Sequence, residues 1–271
     1  MNTRLERRLA QNLARERASS RAKDEFLAAL SHELRVPLNP VLLLASDGAG
    51  NRDLPPEVRK DFDMICNSIE VEARLIDDLL DLTRISRGKL ALKRSAVDVH
   101  AVLQRAISMV DNEMEQKQIF LKADFRATQH HIDADPVRLQ QVFWNILRNA
   151  VKFTVHGGRI AVETETIEKH VAIKITDTGM GMAPDEIKNI FKVYSQGFHC
   201  LGGLGLGLAI SRKLVEMHNG SIQATSPGKG KGATFSIKLP VARNFQELKE
   251  LNRSSPPQTR QEQERVAEAI E

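Results

Sequence analysis

The sequence predicts an α+β protein in which a long helical hairpin precedes a mixed α/β domain. Two stripes of apolar residues at spacings of three and four occupy the N-terminal third. After Arg87-Gly88 short β-rich runs alternate with helical ones. With 41% hydrophobic residues in a chain of 271, there is apolar content for one large or two modest domains.

The first stripe runs from Leu5 to about Ser46 through Leu9, Leu13, Phe26, Leu27, Leu30 and Leu34. Pro37 and Pro40 interrupt it, but VLLLAS continues the apolar face, so these prolines predict a kink and not a stop. The break is expected at SDGAGNRDLPP. A second helix should start at Pro55 or Pro56, which suit a first helical turn, and reach about Arg87, with Phe62, Ile65, Ile69, Ala73, Ile76, Leu79, Leu80 and Leu82 inward. Two helices cannot bury stripes of this length alone, which predicts a homodimer whose hairpins pair into a four-helix bundle. Leu5, Leu9 and Leu13 read either as a coiled-coil extension from an upstream sensory module or as an ordinary helix end with a basic face.

Beyond Gly88 the expected order is a helix about Val99–Gln116, a strand Ile119–Asp124, a helix Pro136–Phe153 and strands Arg159–Ile167 and Val171–Asp177. A short helix near Pro184–Phe191, a glycine-rich stretch to Gly207 and a helix about Leu206–His218 follow. Strands Ser221–Ser226 and Ala233–Leu239 flank the turn PGKGKG, and the tail from Ala242 is polar.

The net charge is +4, yet residues 1–23 alone carry seven basic and two acidic side chains, leaving the rest of the chain slightly acidic. A basic surface for nucleic acid would need that charge spread over a face with aromatics, which make up only 4%. No stretch is both long and apolar enough to span a bilayer, and no apolar block follows the basic N-terminus as in a secretory signal. Two cysteines, Cys66 and Cys200, make no disulfide framework, so a cytoplasmic setting is expected, with a membrane anchor in a longer parent protein left open.

Three constellations carry chemistry. His32 in FLAALSHELRVPL is one of eight histidines, and alone it would read as a surface residue. Glu33 beside it can accept or orient a ring proton and leave the other nitrogen as a nucleophile. Asn145, Asn149 and Lys152 in VFWNILRNAVKFT share one helical face at spacings of four and three. They read either as a solvated face or as a hard-cation and phosphate site. DTGMGM at Asp177–Met182 follows the apolar strand VAIKIT, and GGLGLGL at Gly202–Leu208 opens a helix; glycines there let backbone amides approach phosphates. A Rossmann reading fails because GGLGLG follows no predicted strand, and no GxxxxGK[ST] loop is present.

Together these segments resemble the transmitter core of two-component sensor histidine kinases. LSHELRVPL is similar to the H box, NILRNAVKFT to the N box, DTGMGM to the G1 box, IFKVYSQG to the F box, GGLGLGLAI to the G2 box and GKGKGATF to the last glycine motif. The resemblance covers about Arg21 to Pro240. It implies a dimerisation and phosphotransfer hairpin followed by an α/β-sandwich ATP-binding domain of the Bergerat (GHKL) type.

The implied limits are a helical signalling linker at 1–20, the phosphotransfer domain at 21–90, the catalytic domain at 91–241 and a polar tail at 242–271. By the same resemblance His32 is the phosphoacceptor and Glu33 its general base. Asn149 is the main Mg2+ ligand, with Asn145 and Lys152 contacting phosphate, and Asp177 recognises the adenine amino group. Gly179 and Gly181 shape the adenine pocket, and Gly203, Gly205 and Gly207 end the lid over ATP. The implied partner is a response-regulator receiver domain, and no receiver sequence is present in this chain. A nucleotide-binding scaffold, or a degenerate kinase, is the alternative reading.

Two departures matter. Val36 stands where the family usually has a small polar residue thought to position water for receiver dephosphorylation, and valine cannot hydrogen-bond water. Weak phosphatase activity is therefore expected. Ser195–Leu201 is also shorter than many lids of this family, and Tyr194 replaces a usual phenylalanine.

Overall fold

The computed structural model describes residue 34, residues 36–193 and residues 205–242. His32, Glu33, Tyr194 and Gly203, like the N-terminal leucine stripe, lie outside the described residues. The chain divides into two compact units, one of Met1–Leu90 with Val193–Leu206 and one of Ala91–Lys192 with Gly207–Glu271.

The first unit is the helical hairpin. Helix α1 is described over residues 36–50 and contains Pro37 and Pro40, so neither proline ends it. The expected break at SDGAGNRDLPP is too long: α1 continues to Gly50 and only residues 51–55 turn the chain. Packing overrides the weak helix propensity of SDGAG, because Gly48 meets α2 so closely that a Cβ would strike the ring of Phe62. Helix α2 spans Pro56–Ser86, with Pro55 as N-cap and proline in its first turn. Ser46 Oγ and Cys66 Sγ, 3.6 Å apart, bridge the two helices. Ala45 and Ile69 are buried, but Ile65 and Leu79, expected to face inward, remain exposed.

In the second unit, β1 (Ser95–Asp98) leads into α3 (Val99–Ser108) and α4 (Asp111–Gln116). The expected single helix Val99–Gln116 is thus divided. Val110 leaves helical geometry, at φ −115° and ψ 2°, and its side chain is fully buried. Strand β2 (Phe120–Phe125), strand β3 (His131–Ala134), helix α5 (Pro136–Phe153), strand β4 (Arg159–Ile167) and strand β5 (His170–Asp177) follow. Helices α6 (Pro184–Asn189) and α7 (Gly207–Met217) and strands β6 (Ser221–Thr225) and β7 (Ala233–Pro240) complete the described part.

The five-stranded sheet has the order β2-β4-β5-β7-β6, with β2 and β4 parallel and the other pairs antiparallel. A separate antiparallel pair, β1 with β3, was not expected. Strand alternation decides which side of the large sheet is covered. Ile160 and Val162 on β4, Val171, Ile173 and Ile175 on β5, and Phe235, Ile237 and Leu239 on β7 are all buried. Helices α3, α5 and α7 pack side by side over this unit, α5 against β5 and α7 against β6, giving a two-layer α/β sandwich.

Helix α5 is the central helix. Asp135 caps it by accepting the N–H groups of Val137 (3.1 Å) and Arg138 (3.2 Å), and Pro136 occupies its first turn. Leu139, Val142, Phe143, Ile146, Leu147, Ala150 and Val151 are buried along it. The other oxygen of Asp135 accepts the Lys93 N–H at 2.9 Å. Its own N–H donates to Nε2 of the buried His218 (3.0 Å), whose Nδ1 donates to the Leu214 carbonyl at 2.7 Å. The start of α5 and the end of α7 are therefore locked together through one neutral imidazole, which burial holds below the usual histidine pKa.

Candidate functional site

Strand β5 carries a file of inward residues, Val171, Ile173 and Ile175, and the next inward position is Asp177. A carboxylate thus ends an apolar file and is 6% exposed. Its Oδ1 accepts the N–H of Gly179 at 2.8 Å and that of Ala233 at 3.2 Å. Burial raises its pKa above the ordinary aspartate value, and the two backbone donors act in the opposite direction. Among the described residues no protein donor holds Oδ2, so a second acceptor is available beside the first.

The glycines after Asp177 fit against two other segments. Met180 N–H donates to the Phe153 carbonyl at the end of α5, at 3.1 Å, and a Cβ on Gly179 would collide with that same carbonyl. Gly181 adopts φ +61°, a conformation that costs L-residues energy, and a Cβ there would strike the Gly228 carbonyl. The loop is braced from the other side by the β6–β7 turn: Gly230 N–H donates to Met180 O (2.6 Å) and Gly232 N–H to Gly179 O (2.9 Å). Ser226, which the sequence reading did not single out, closes the brace. Its hydroxyl donates to Gly232 O at 2.6 Å and accepts Met182 N–H at 3.0 Å. Its position just before PGKGKG, where hydroxyls support turns, was the available signal.

The polar face expected on α5 is present but graded in depth. Asn145 is buried, and its Nδ2 donates to Gly207 O and Ser211 Oγ of α7, both at 3.4 Å. This ties the glycine-opened helix to α5, and a Cβ on Gly207 would lie 3.3 Å from the Asn145 amide. Asn149 and Lys152, at successive steps toward the end of the helix, are half-buried. Burial lowers the Lys152 pKa, with Arg148 adding to the effect, and its Nζ lies 5.2 Å from the Phe153 ring centre. Asn149 carries a hard amide oxygen on the same face of α5, the donor type a magnesium ion takes. One such protein ligand leaves most of the ion's sphere to water and phosphate oxygens, as that ion prefers. Gly205, with φ +68°, lies two residues before the first residue of α7. The structure therefore gathers Asp177, Gly179 and Gly181 around the end of α5, and Asn145 with Gly207 at the start of α7.

A second group of potential metal ligands, Asp98, His100 and His130, has a different character. The His100 and His130 rings stack at 4.1 Å with 18° between planes, and His100 also stacks on Phe125 at 4.9 Å. Near-parallel rings cannot aim in-plane lone pairs at one ion, so this column is packing. His100 Nε2 lies 2.9 Å from Thr164 Oγ1, and burial lowers its pKa.

Two family models match the chain. One, described as "His Kinase A (phospho-acceptor) domain", covers residues 22–88, and the other, "Histidine kinase-, DNA gyrase B-, and HSP90-like ATPase", covers residues 134–243. The chain belongs to the sensor histidine kinase family. Among relatives, Sensor protein GacS of Pseudomonas syringae pv. syringae is 36% identical over 253 residues, covering 87% of this chain and 27% of that protein. The crystal structure of full-length ShkA in complex with AMPPNP matches with a TM-score of 0.65 and 31% identity, over 80% of this chain and 46% of that one. The Acinetobacter baumannii histidine kinase AdeS matches with a TM-score of 0.57 and 26% identity, over 78% of this chain and 98% of that one. The chain spans 27% of the GacS relative and 31% of the circadian input-output histidine kinase CikA of Synechococcus elongatus. The family assigns an ATP-binding domain to the sheet unit and a phospho-acceptor domain to the hairpin. No described helix is long and apolar enough to cross a membrane.

Proposed function

We propose that this chain phosphorylates itself on His32 with Mg-ATP and passes the phosphoryl group to an aspartate of a response-regulator receiver domain. The observation that carries this reading is the buried Asp177, with one oxygen held by backbone donors and the other available, at the mouth of two mutually braced glycine turns. An exocyclic amine donates to Oδ2 while the glycine backbone lies flat against the base. The AMPPNP bound by the related ShkA supports a nucleotide as ligand.

In this reading Asp177, Gly179 and Gly181 hold adenine, and Asn145, Asn149 and Lys152 face the phosphates. Gly203, Gly205 and Gly207 belong to the end of the lid. Asn149 would hold Mg2+, an ion whose charge would offset that of the triphosphate. Glu33 takes the ring proton of His32, whose free nitrogen attacks the γ-phosphorus in line. The N–P bond forms as the bond from the γ-phosphorus to the β,γ-bridging oxygen breaks, and ADP leaves. An amide at position 145 cannot act as a general base toward water, which favours transfer over hydrolysis. Residues 21–90 act as the dimerising phosphotransfer domain and 91–241 as the catalytic domain, flanked by a signalling linker at 1–20 and a tail at 242–271. The setting is the cytoplasm, and an upstream sensory domain supplies the stimulus.

Incubation with γ-labelled Mg-ATP tests the reading. Label should be lost in acid, kept in alkali and absent from His32→Gln. ATP binding without label would favour a signalling scaffold. Asp177→Asn should weaken ATP binding by about 1–3 kcal/mol, roughly five- to 150-fold in Kd, because it replaces an acceptor matched to a buried donor. Calorimetric titration with ATP measures this directly. Val36 is 51% exposed on α1 and offers no hydrogen bond to water, so dephosphorylation of a labelled receiver by this chain should be slow. Rapid loss of receiver label would reject that part.

A further inference from the structure

The last carbonyls of an α-helix have no partner within the helix. At the end of α5 two of these carbonyls, with that of the C-cap residue Thr154, find their partner in one side chain remote in sequence. Lys117, at the turn between α4 and β2, places Nζ 2.8 Å from Val151 O, 3.0 Å from Lys152 O and 3.3 Å from Thr154 O. An ammonium has three N–H donors, and all three are used. The carbonyl it leaves out, that of Phe153, is the one that accepts Met180 N–H from the loop of Asp177. The Lys117 carbonyl in turn accepts Gly157 N–H at 2.9 Å, so the same residue also fixes the turn after α5. Its positive charge lies at the negative end of the helix dipole. Asp177, by contrast, is held by the sheet itself, through β4 and β7 on either side of β5.

We propose that Lys117 is a positioning residue for the metal-triphosphate end of the nucleotide: it holds the last turn of α5, with Asn149 and Lys152, in fixed relation to the Asp177 loop. The inference rests on the nucleotide-site reading above. Without Lys117, the adenine side keeps its sheet support and the phosphate side loses its anchor.

Calorimetric titration of the full chain with Mg-ATP and with adenosine separates the two ends. Wild-type binding of Mg-ATP tests the nucleotide-site reading by itself. In Lys117→Met, the Kd for Mg-ATP should rise about tenfold while that for adenosine changes less than about twofold. Lys117→Arg keeps charge and donors, but its planar fork cannot meet three converging carbonyls. It should raise the Mg-ATP Kd about threefold, again without moving adenosine, and it decides the matter if the methionine variant does not melt cooperatively. Equal weakening of both ligands in a folded variant would overturn the proposal. So would an unchanged Mg-ATP affinity.

Discussion

Leu43 and Leu44 on α1 stand 67% and 70% exposed, and Met64 on α2 stands 60% exposed, whereas Phe143, Ile146 and Leu147 on α5 are fully buried. Both units are built from amphipathic helices, but only the second has a sheet to cover them. Burial of apolar area is the main driving term in each case, and the hairpin leaves much of its own unused within one chain. In the proposed dimer a second copy of the hairpin would supply the missing surface. If the hairpins pair in this way, stability of the sheet unit belongs to the single chain, and that of the hairpin should depend on protein concentration.

Substitutions that touch one unit should therefore leave the other unchanged. The largest effect is expected for Phe143→Ala, which removes a fully buried ring from α5 and should cost about 3–5 kcal/mol. Differential scanning calorimetry should show a lower melting transition for the sheet unit, with the sedimentation coefficient of the assembly at low temperature preserved. A change in oligomeric state would deny the separation.

A smaller effect follows from pH. The native pKa of His218 is lowered by burial while its unfolded value stays near 6.5, so the unfolded chain binds the extra proton first. The stability linked to this group is present above pH 6.5 and declines as pH falls from there toward the native pKa. Urea midpoints of the sheet unit should thus be lower at pH 5.5 than at pH 7.5, and His218→Gln should reduce the difference. The raised pKa of Asp177 has the opposite sign, its contribution being lost as pH rises through the native value. A pH difference identical in wild type and His218→Gln would remove the imidazole from this account.

The smallest effect on the sheet unit is expected for Leu44→Glu. Its melting should move by less than about 0.5 kcal/mol, because the site is exposed and on the other unit. Analytical ultracentrifugation should nevertheless show a shift from dimer to monomer. Persistence of the dimer would place the hairpin's partner surface elsewhere.

Much of this architecture is legible in the sequence, and the failures have physical causes. Helix α5 and strand β4 carry strong single-period patterns and lie where those patterns place them, at Pro136–Phe153 and Arg159–Ile167. Strands β1 and β3 have four residues each, SAVD and HIDA, too short for alternation to stand out from noise. The break at Met109–Val110 has no glycine or proline to announce it; it is set by where Val110 packs. At the site, the period-two file ending in Asp177 was readable before any fold was known. The pairing of Gly179 with Gly232 and the capping of α5 by Lys117 were not, because each joins segments far apart in sequence.

In the proposed nucleotide site, the two-point grip on Asp177 also bears on selectivity between bases. With Oδ1 already filled by the Gly179 and Ala233 N–H groups, the carboxylate meets an incoming base only as an acceptor. A purine with an amino group at the matching edge completes the pattern, whereas one with a keto oxygen there sets two lone-pair-bearing oxygens against each other in a site largely closed to water. Discrimination of adenine from guanine would then come from repulsion built into the end of one β-strand, without any side chain reserved for excluding the wrong base.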